Sequence, residues 1–349
     1  MPVSVIVGGQ YGSEGKGKIA LETVRRYTTT TLVVRPGGTN SGHTGFSRDG
    51  YRHVLRQLPA AAIDGQVGVV IPAGSYIDPL LLLREMSEVG LDASQIHVDP
   101  RAHVITDAHR RWERASALIE TIGSTGSGTG AAVLARVARY APGLPPGVQA
   151  TECDQLRPFL RDTVSLMRDA LTRRERIVVE GTQGFGLSPI HGDVWPKATS
   201  RDTTASAFLS EAGLAPSDVD EVVLVLRSHP IRVAGDSGPL RDETSWEEIA
   251  RLSGGPWHQG ELTSVTRRLR RVGRFDAEVV LRAILVNQPD RIVMNHLDQV
   301  DYTIAGGAEL TSKARAFILN VQDRIGRRID AVGTGEQTCV EIGYLDVHA

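Results

Sequence analysis

The chain has 349 residues, enough to bury a large core, and its 39 Lys and Arg against 41 Asp and Glu leave a formal net charge of −2. That balance excludes a broad basic surface for nucleic acid, so no nucleic-acid partner is expected. Cys153 and Cys339, the two cysteines, have no C-x-x-C and no histidine at ligand spacing, which argues against a disulfide framework or a zinc site.

Nor is there a basic segment leading into an apolar one at the N-terminus, or any run of about 18 apolar residues, so a cytoplasmic protein with no membrane contact is expected. The first predicted element is the β-branched run at residues 3–7, a buried strand. It leads into G-x-x-x-x-G-K spacing at Gly12, Gly17 and Lys18, with Ile19 where a P-loop carries Ser or Thr for Mg²⁺. A helix is predicted over 19–27. A Gly-rich turn between strand and helix aims backbone N–H groups at an anion, so phosphate binding survives the missing hydroxyl.

Further strands are predicted at 31–34 and 67–71, then helices at 79–89, 108–122 and 155–174, with a Pro/Gly-rich surface connection at 141–147. Strands at 177–180 and 222–226, helices at 246–252 and 277–287, and a strand at 291–295 complete the pattern. The alternation predicts an α/β fold, a mostly parallel central sheet with flanking helices and a P-loop-like nucleotide loop. With no shift in composition and no repeats, residues 1–349 read as one domain.

Polar, Gly-rich clusters follow several of these strands. They include RPGGTNSGHTG from Arg35, IGSTGSGTG from Ile122, VEGTQGFG from Val179, TSVTRRLRRVGRFD from Thr263, NHLD from Asn295 and GTGEQT from Gly333. Ligands of open α/β sheets gather at the carboxyl ends of the strands, where these clusters fall. A regulatory GTPase-like switch would need Ser or Thr at Ile19. A dinucleotide-binding oxidoreductase would need G-x-G-x-x-G after the first strand, which is absent.

In order along the chain, these clusters resemble the motifs of the adenylosuccinate synthetase family. G-D-E-G-K-G-K of the family aligns with Gly12 to Lys18, G-G-x-N-x-G-H-T with Gly37 to Thr44, G-T-T-G-x-G-x-G with Gly123 to Gly130, and E-G-A-Q-G with Glu180 to Gly184. Its arginine-rich loop aligns with Arg267 to Arg271 and its T-K-L-D with Asn295 to Asp298. The chain is compact beside bacterial members, its shortfall lying between motifs.

The resemblance implies a two-step C–N ligase. A nucleoside triphosphate phosphorylates the 6-oxygen of a purine monophosphate, and L-aspartate then displaces the phosphate. It assigns catalysis to Ser13, His43 and Gln183, and the purine monophosphate to Ser13, Asn40, Ser124, Thr125, Arg139, Gln183, Thr199 and Val233. The triphosphate falls to Ser13, Glu14, Gly15, Lys16, Gly17, Gly42, His43, Thr44, Arg270, Asn295, Asp298, Gly333 and Gly335. Aspartate falls to Ser264, Val265, Thr266 and Arg268, and Mg²⁺ to Ser13 and Gly42. Arg139 is expected to cross a homodimer interface to the neighbouring monophosphate.

Two departures from the family bear on the choice of substrates. Its base Asp is Ser13 here, a hydroxyl that is a poor base but leaves room for a 2-amino group, similar to viral relatives that use dGMP. The Lys of T-K-L-D is His296, which removes the stem that packs on guanine. The expected reaction therefore joins dGMP, L-aspartate and ATP to give 2-amino-2'-deoxyadenylosuccinate. The alternative is IMP with GTP.

Overall fold

The computed structural model describes residues 2–263 and 268–343, with only the backbone at His258. A nine-stranded sheet organises the chain: β1 Val3–Gly8, β2 Thr30–Val34, β3 Gly68–Ile71, β4 Ile96–Val98, β5 Arg176–Glu180, β6 Val219–Arg227, β7 Arg291–Asn295, β8 Ala331–Gly333 and β9 Cys339–Glu341. Their spatial order is β9-β8-β7-β6-β1-β5-β2-β3-β4. Every neighbouring pair is parallel except β8 with β9. Helices cover the sheet: α1 Lys16–Arg26, α2 Pro79–Val89, α3 Asp107–Ala115, α4 Leu118–Ile122, α5 Thr129–Ala138, α6 Thr163–Thr172, α7 Ala205–Ala212, α8 Trp246–Ser253, α9 Ala277–Asn287 and α10 Ser312–Ile325.

Because both faces are covered, β1 and β5 at the centre of the sheet bury every residue. Alternate residues feed two separate cores. Val3, Val5 and Val7 of β1 join Phe208, Val280 and Ile318 on one face, while Ile6 joins Ile19, Leu55 and Val69 on the other. Continuous apolar runs are the sequence mark of such two-sided burial.

All six predicted strands are present, and the helices predicted at 79–89 and 277–287 match α2 and α9. Two predicted helices are interrupted. Ser116 ends α3 because its hydroxyl donates back to the Trp112 and Glu113 carbonyls, and Ala117 then takes a left-handed conformation at φ 55° before α4. In the 155–174 segment, Pro158 supplies no N–H and disfavours helix at the residue before it, so only a 3₁₀ turn, Asp154–Phe159, forms. A new N-cap is then needed, and Asp162 provides it by accepting the Ser165 N–H at 3.2 Å. Among the described residues, no helix is long and apolar enough to cross a membrane.

Candidate active site

Six adjacent strands deliver their carboxyl ends to one cleft of about 350 Å³. It collects Ser13, Gly15, Lys16 and Gly17 from the loop after β1, and Asn40, Gly42, His43 and Thr44 from the segment after β2. Thr125, Gln183, Val233 and Arg270 line it from the loops, and Asn295, Asp298 and Gly335 from the ends of β7 and β8.

The loop after β1 is held from within. Glu14 is wholly buried; one carboxylate oxygen accepts the Gln10 and Gly12 N–H groups at 3.1 and 2.8 Å, and the other pairs with Lys16 Nζ at 2.7 Å. Gly15 lies at φ 91°, and a Cβ there would sit 2.7 Å from Asn295 Nδ2, so both conformation and close packing require glycine. Asn295 Nδ2 donates to the Glu14 carbonyl at 2.8 Å, tying β7 to the loop. Helix α1 thus opens at Lys16, three residues before the predicted start, with no side-chain cap on its first N–H groups and two lysines at its head. That arrangement suits a phosphate chain. Lys18 turns away to the Gly335 and Thr338 carbonyls at 2.8 and 2.6 Å, and burial lowers its pKa.

Beside the loop stands a buried cluster of Arg35, Glu180 and His43. His43 Nδ1 lies 2.5 Å from Glu180 Oε1, and Arg35 Nη1 donates to the same oxygen at 2.7 Å. Burial, helped by Arg35, holds the imidazole down at about 4. Burial alone would raise Glu180, but the His43 hydrogen bond and the Arg35 charge outweigh it and keep the carboxyl below its usual range. At neutral pH the pair is therefore a carboxylate and a neutral imidazole, and since the carboxylate only accepts, Nδ1 carries the proton. Nε2 is then an acceptor that becomes a donor on protonation.

An adjoining wall is built from Arg227, Glu261 and Arg270. Glu261 takes Arg227 Nη2 and Arg270 Nη1 at 2.7 Å each, and Arg270 Nη1 also reaches the Ser13 hydroxyl. Burial would raise the Glu261 carboxyl, but the two guanidiniums drive it down to about 2. Burial pushes Asp298 up to about 6 and His296 down to about 3.

Other expected site residues lie off the cleft. Glu14 is beneath its floor, and Gly333 packs behind Asn295 and Lys18. Thr199 stands one step back, its hydroxyl taking Asn40 Nδ2 at 3.4 Å. Ser124 turns the 123–128 loop by accepting the Gly126 N–H at 3.2 Å. Arg268 is exposed, its N–H on the Thr263 hydroxyl at 2.9 Å. Ser264, Val265 and Thr266 lie outside the described residues. Arg139 is exposed just past α5, beside exposed Leu134, Val137 and Tyr140, and does not line its own chain's cleft. Sequence reasoning assigned nothing to Arg35, Glu180, Arg227 or Glu261. A charged residue closing an apolar strand was the available signal for Glu180 and Arg227.

An α/β enzyme acting on nucleotides is the class that this sheet and cleft define. The family model for adenylosuccinate synthetase matches residues 5–144 and 149–305, and the chain belongs to that family. It is accordingly a C–N ligase acting on a purine nucleotide with aspartate.

Adenylosuccinate synthetases of Thermococcus onnurineus and Methanocaldococcus jannaschii are each 35% identical to it. The first alignment covers 97% of this chain and 97% of the relative, the second 96% and 94%. The fully ligated Plasmodium falciparum adenylosuccinate synthetase superposes with a TM-score of 0.83 at 21% identity, covering 98% of this chain and all of that one, and shares the fold. The cyanophage S-2L succinoaminodeoxyadenylate synthetase, bound to dGMP and to dATP as an energy donor, superposes with a TM-score of 0.79 at 29% identity, covering 97% and 95%. Because the archaeal relatives match almost end to end, compactness is shared with proteins named adenylosuccinate synthetase and does not discriminate between purine substrates.

Proposed function

We propose that the chain joins L-aspartate to C6 of dGMP with ATP as phosphoryl donor, giving 2-amino-2'-deoxyadenylosuccinate, ADP and phosphate. The observation that carries this reading is residue 13: a serine lines the cleft there, its hydroxyl engaged by Arg270, and the one carboxylate of that loop, Glu14, is buried and saturated. The purine edge at this point meets a small neutral side chain, which accommodates a 2-amino group where a carboxylate would crowd it. The 29% identical cyanophage enzyme with dGMP and dATP supports the same choice of purine and of an adenine donor.

In this reading the γ-phosphoryl group passes to the purine 6-oxygen, and the aspartate amine then displaces phosphate at C6. The N-terminus of α1 and Lys16 hold the phosphate chain. Anionic phosphates beside His43 favour its protonated form, so Nε2 donates to the charge that develops on transfer while Glu180 keeps the ring oriented. Arg270 and Arg268 supply guanidiniums for the triphosphate and for the aspartate carboxylates, and Ser264, Val265 and Thr266 belong to the same aspartate loop.

For Mg²⁺, the chain offers neutral oxygens, the Ser13 hydroxyl and the Gly42 carbonyl, and among the described residues no group of three His, Cys, Asp or Glu could hold a metal. This set fits an ion whose remaining ligands are phosphate oxygens and water, and such an ion supplies charge neutralisation on the phosphates. A homodimer completes the site, with Arg139 reaching the partner's monophosphate. The exposed apolar side chains of Leu134, Val137 and Tyr140 around Arg139 support that face.

The second reading, IMP with GTP, is favoured by Asp298, a carboxylate kept in the cleft at the position that pairs with guanine in the family. A panel of dGMP, GMP, IMP and AMP, each with L-aspartate and either ATP or GTP, separates the two by product mass and ultraviolet spectrum. Aspartate-dependent ADP release with dGMP is the expected result; preference for IMP and GTP would overturn it.

A further inference from the structure

Glu261 is a carboxylate in the cleft that the chemistry above leaves without a task. It braces two guanidiniums, and both continue to residue 13. Arg227 Nη1 donates to the Ser13 carbonyl at 3.2 Å, and Arg270 Nη1 donates to its hydroxyl. Ser13 lies at φ 56°, a left-handed conformation that non-glycine residues adopt only when their surroundings hold them there. Its two oxygens are held by two arginines that share one counter-charge. Arg227 has no exposed side-chain surface, so Glu261 also compensates a charge that could not otherwise be buried.

Glu261 itself is only partly buried and lines the cleft, unlike Glu14 and Glu180. Nearby, Arg270 Nε and Gln299 Nε2 are buried without a hydrogen-bond partner among the described residues.

We propose that Glu261 is a positioning residue for residue 13: by bracing Arg227 and Arg270 it fixes the Ser13 side chain, and through it the space offered to the purine edge. This rests on the reading that residue 13 faces the purine. Its chemistry makes Glu261 and a carboxylate placed at residue 13 rival partners for Arg270. Replacing Glu261 therefore alters which purine is chosen, rather than the rate on every purine alike.

The test measures kcat/KM for dGMP and IMP in the full-length enzyme, in Glu261→Gln, in Ser13→Ala and in the double variant. Glu261→Gln should shift the ratio of the two purines by about tenfold, and the double variant should shift it no further than the larger single change, because both act through one contact. Additive shifts, or a uniform fall in kcat with the ratio unchanged, would overturn the proposal. Glu261→Asp keeps the charge with a shorter reach and should recover part of the ratio; if the glutamine variant does not fold, the same cycle is run with the aspartate variant. An enzyme that prefers IMP would refute the dGMP reading yet still yield the coupling, so the two failures are distinguishable.

Discussion

The two walls of the cleft settle their charges differently. On the side of the first loop, Glu14 and Glu180 are wholly buried and each oxygen of the Glu14 carboxylate has a partner, so the carboxylates of this wall are complete in their pairing before any ligand binds. On the other side one partly exposed carboxylate, Glu261, serves two guanidiniums, and among the described residues Arg270 Nε and Gln299 Nε2 are buried without a partner. A complete wall is preorganised for one chemical step, since its dipoles need no rearrangement when charge develops. A wall in which one carboxylate serves two guanidiniums transmits any change at Glu261 to Arg227, to Arg270 and to the Ser13 that both hold.

The largest effect expected on this contrast comes from the complete wall. His43→Ala should lower kcat by about a thousandfold, the scale of a lost proton-donating group, and leave monophosphate affinity nearly intact. Steady-state kinetics with an equilibrium titration checks it, and preserved aspartate-dependent phosphate release would remove His43 from the mechanism.

Arg139→Leu should cost about a hundredfold in kcat/KM for the purine monophosphate, as expected when one partner of a charged contact is lost. Mixed with His43→Ala protein, it should regain part of the activity through hybrid dimers that hold one intact site. No recovery despite demonstrated subunit exchange would place the monophosphate contact within a single chain.

Where the two walls meet, Ser13→Asp should move preference from dGMP toward IMP by about tenfold in relative kcat/KM. A variant that still binds triphosphate but keeps its original ratio would locate purine selection elsewhere in the cleft.

The smallest contrast is in stability against pH. His43, His229 and His296 are buried with pKa values near 4, 3 and 3, below the ordinary 6.5, so the unfolded chain binds protons first. Their contribution is fully present above 6.5 and is lost as pH falls toward 4 and then 3. Glu261, held near 2 against an ordinary 4.5, adds to the loss between those values. Asp298 opposes them: raised from 3.8 to about 6, it favours the folded state below 3.8 and loses that effect as pH rises through 6. Denaturant midpoints should therefore fall between pH 6.5 and 4, and a midpoint unchanged over that window would contradict the burial of the histidines.

Much of the phosphate wall was legible in the sequence. Gly15, Lys16 and Gly17 follow a strand rich in β-branched apolar residues, and a Gly-rich turn between strand and helix is a local pattern. Short elements were less legible. Strands β4, β8 and β9 have three residues each, too few for a period to register, and exist because a neighbouring strand pairs with them. Helix α10 had a readable start in Thr311, which accepts the Ala314 N–H at 3.2 Å. The breaks at Ser116 and Pro158 show apolar periodicity yielding to side-chain hydrogen bonding and to a missing N–H.

By itself the sequence determined the six core strands, the loops that follow them and the cleft residues carried on those loops, because hydrophobic period and glycine turns act within a few positions. Only the tertiary structure decided that Glu180 would hold His43 across 137 positions, and that Arg270 would reach Ser13 across 257. Burying a charge demands a partner in space, and no spacing along the chain says which strand end or loop will supply it.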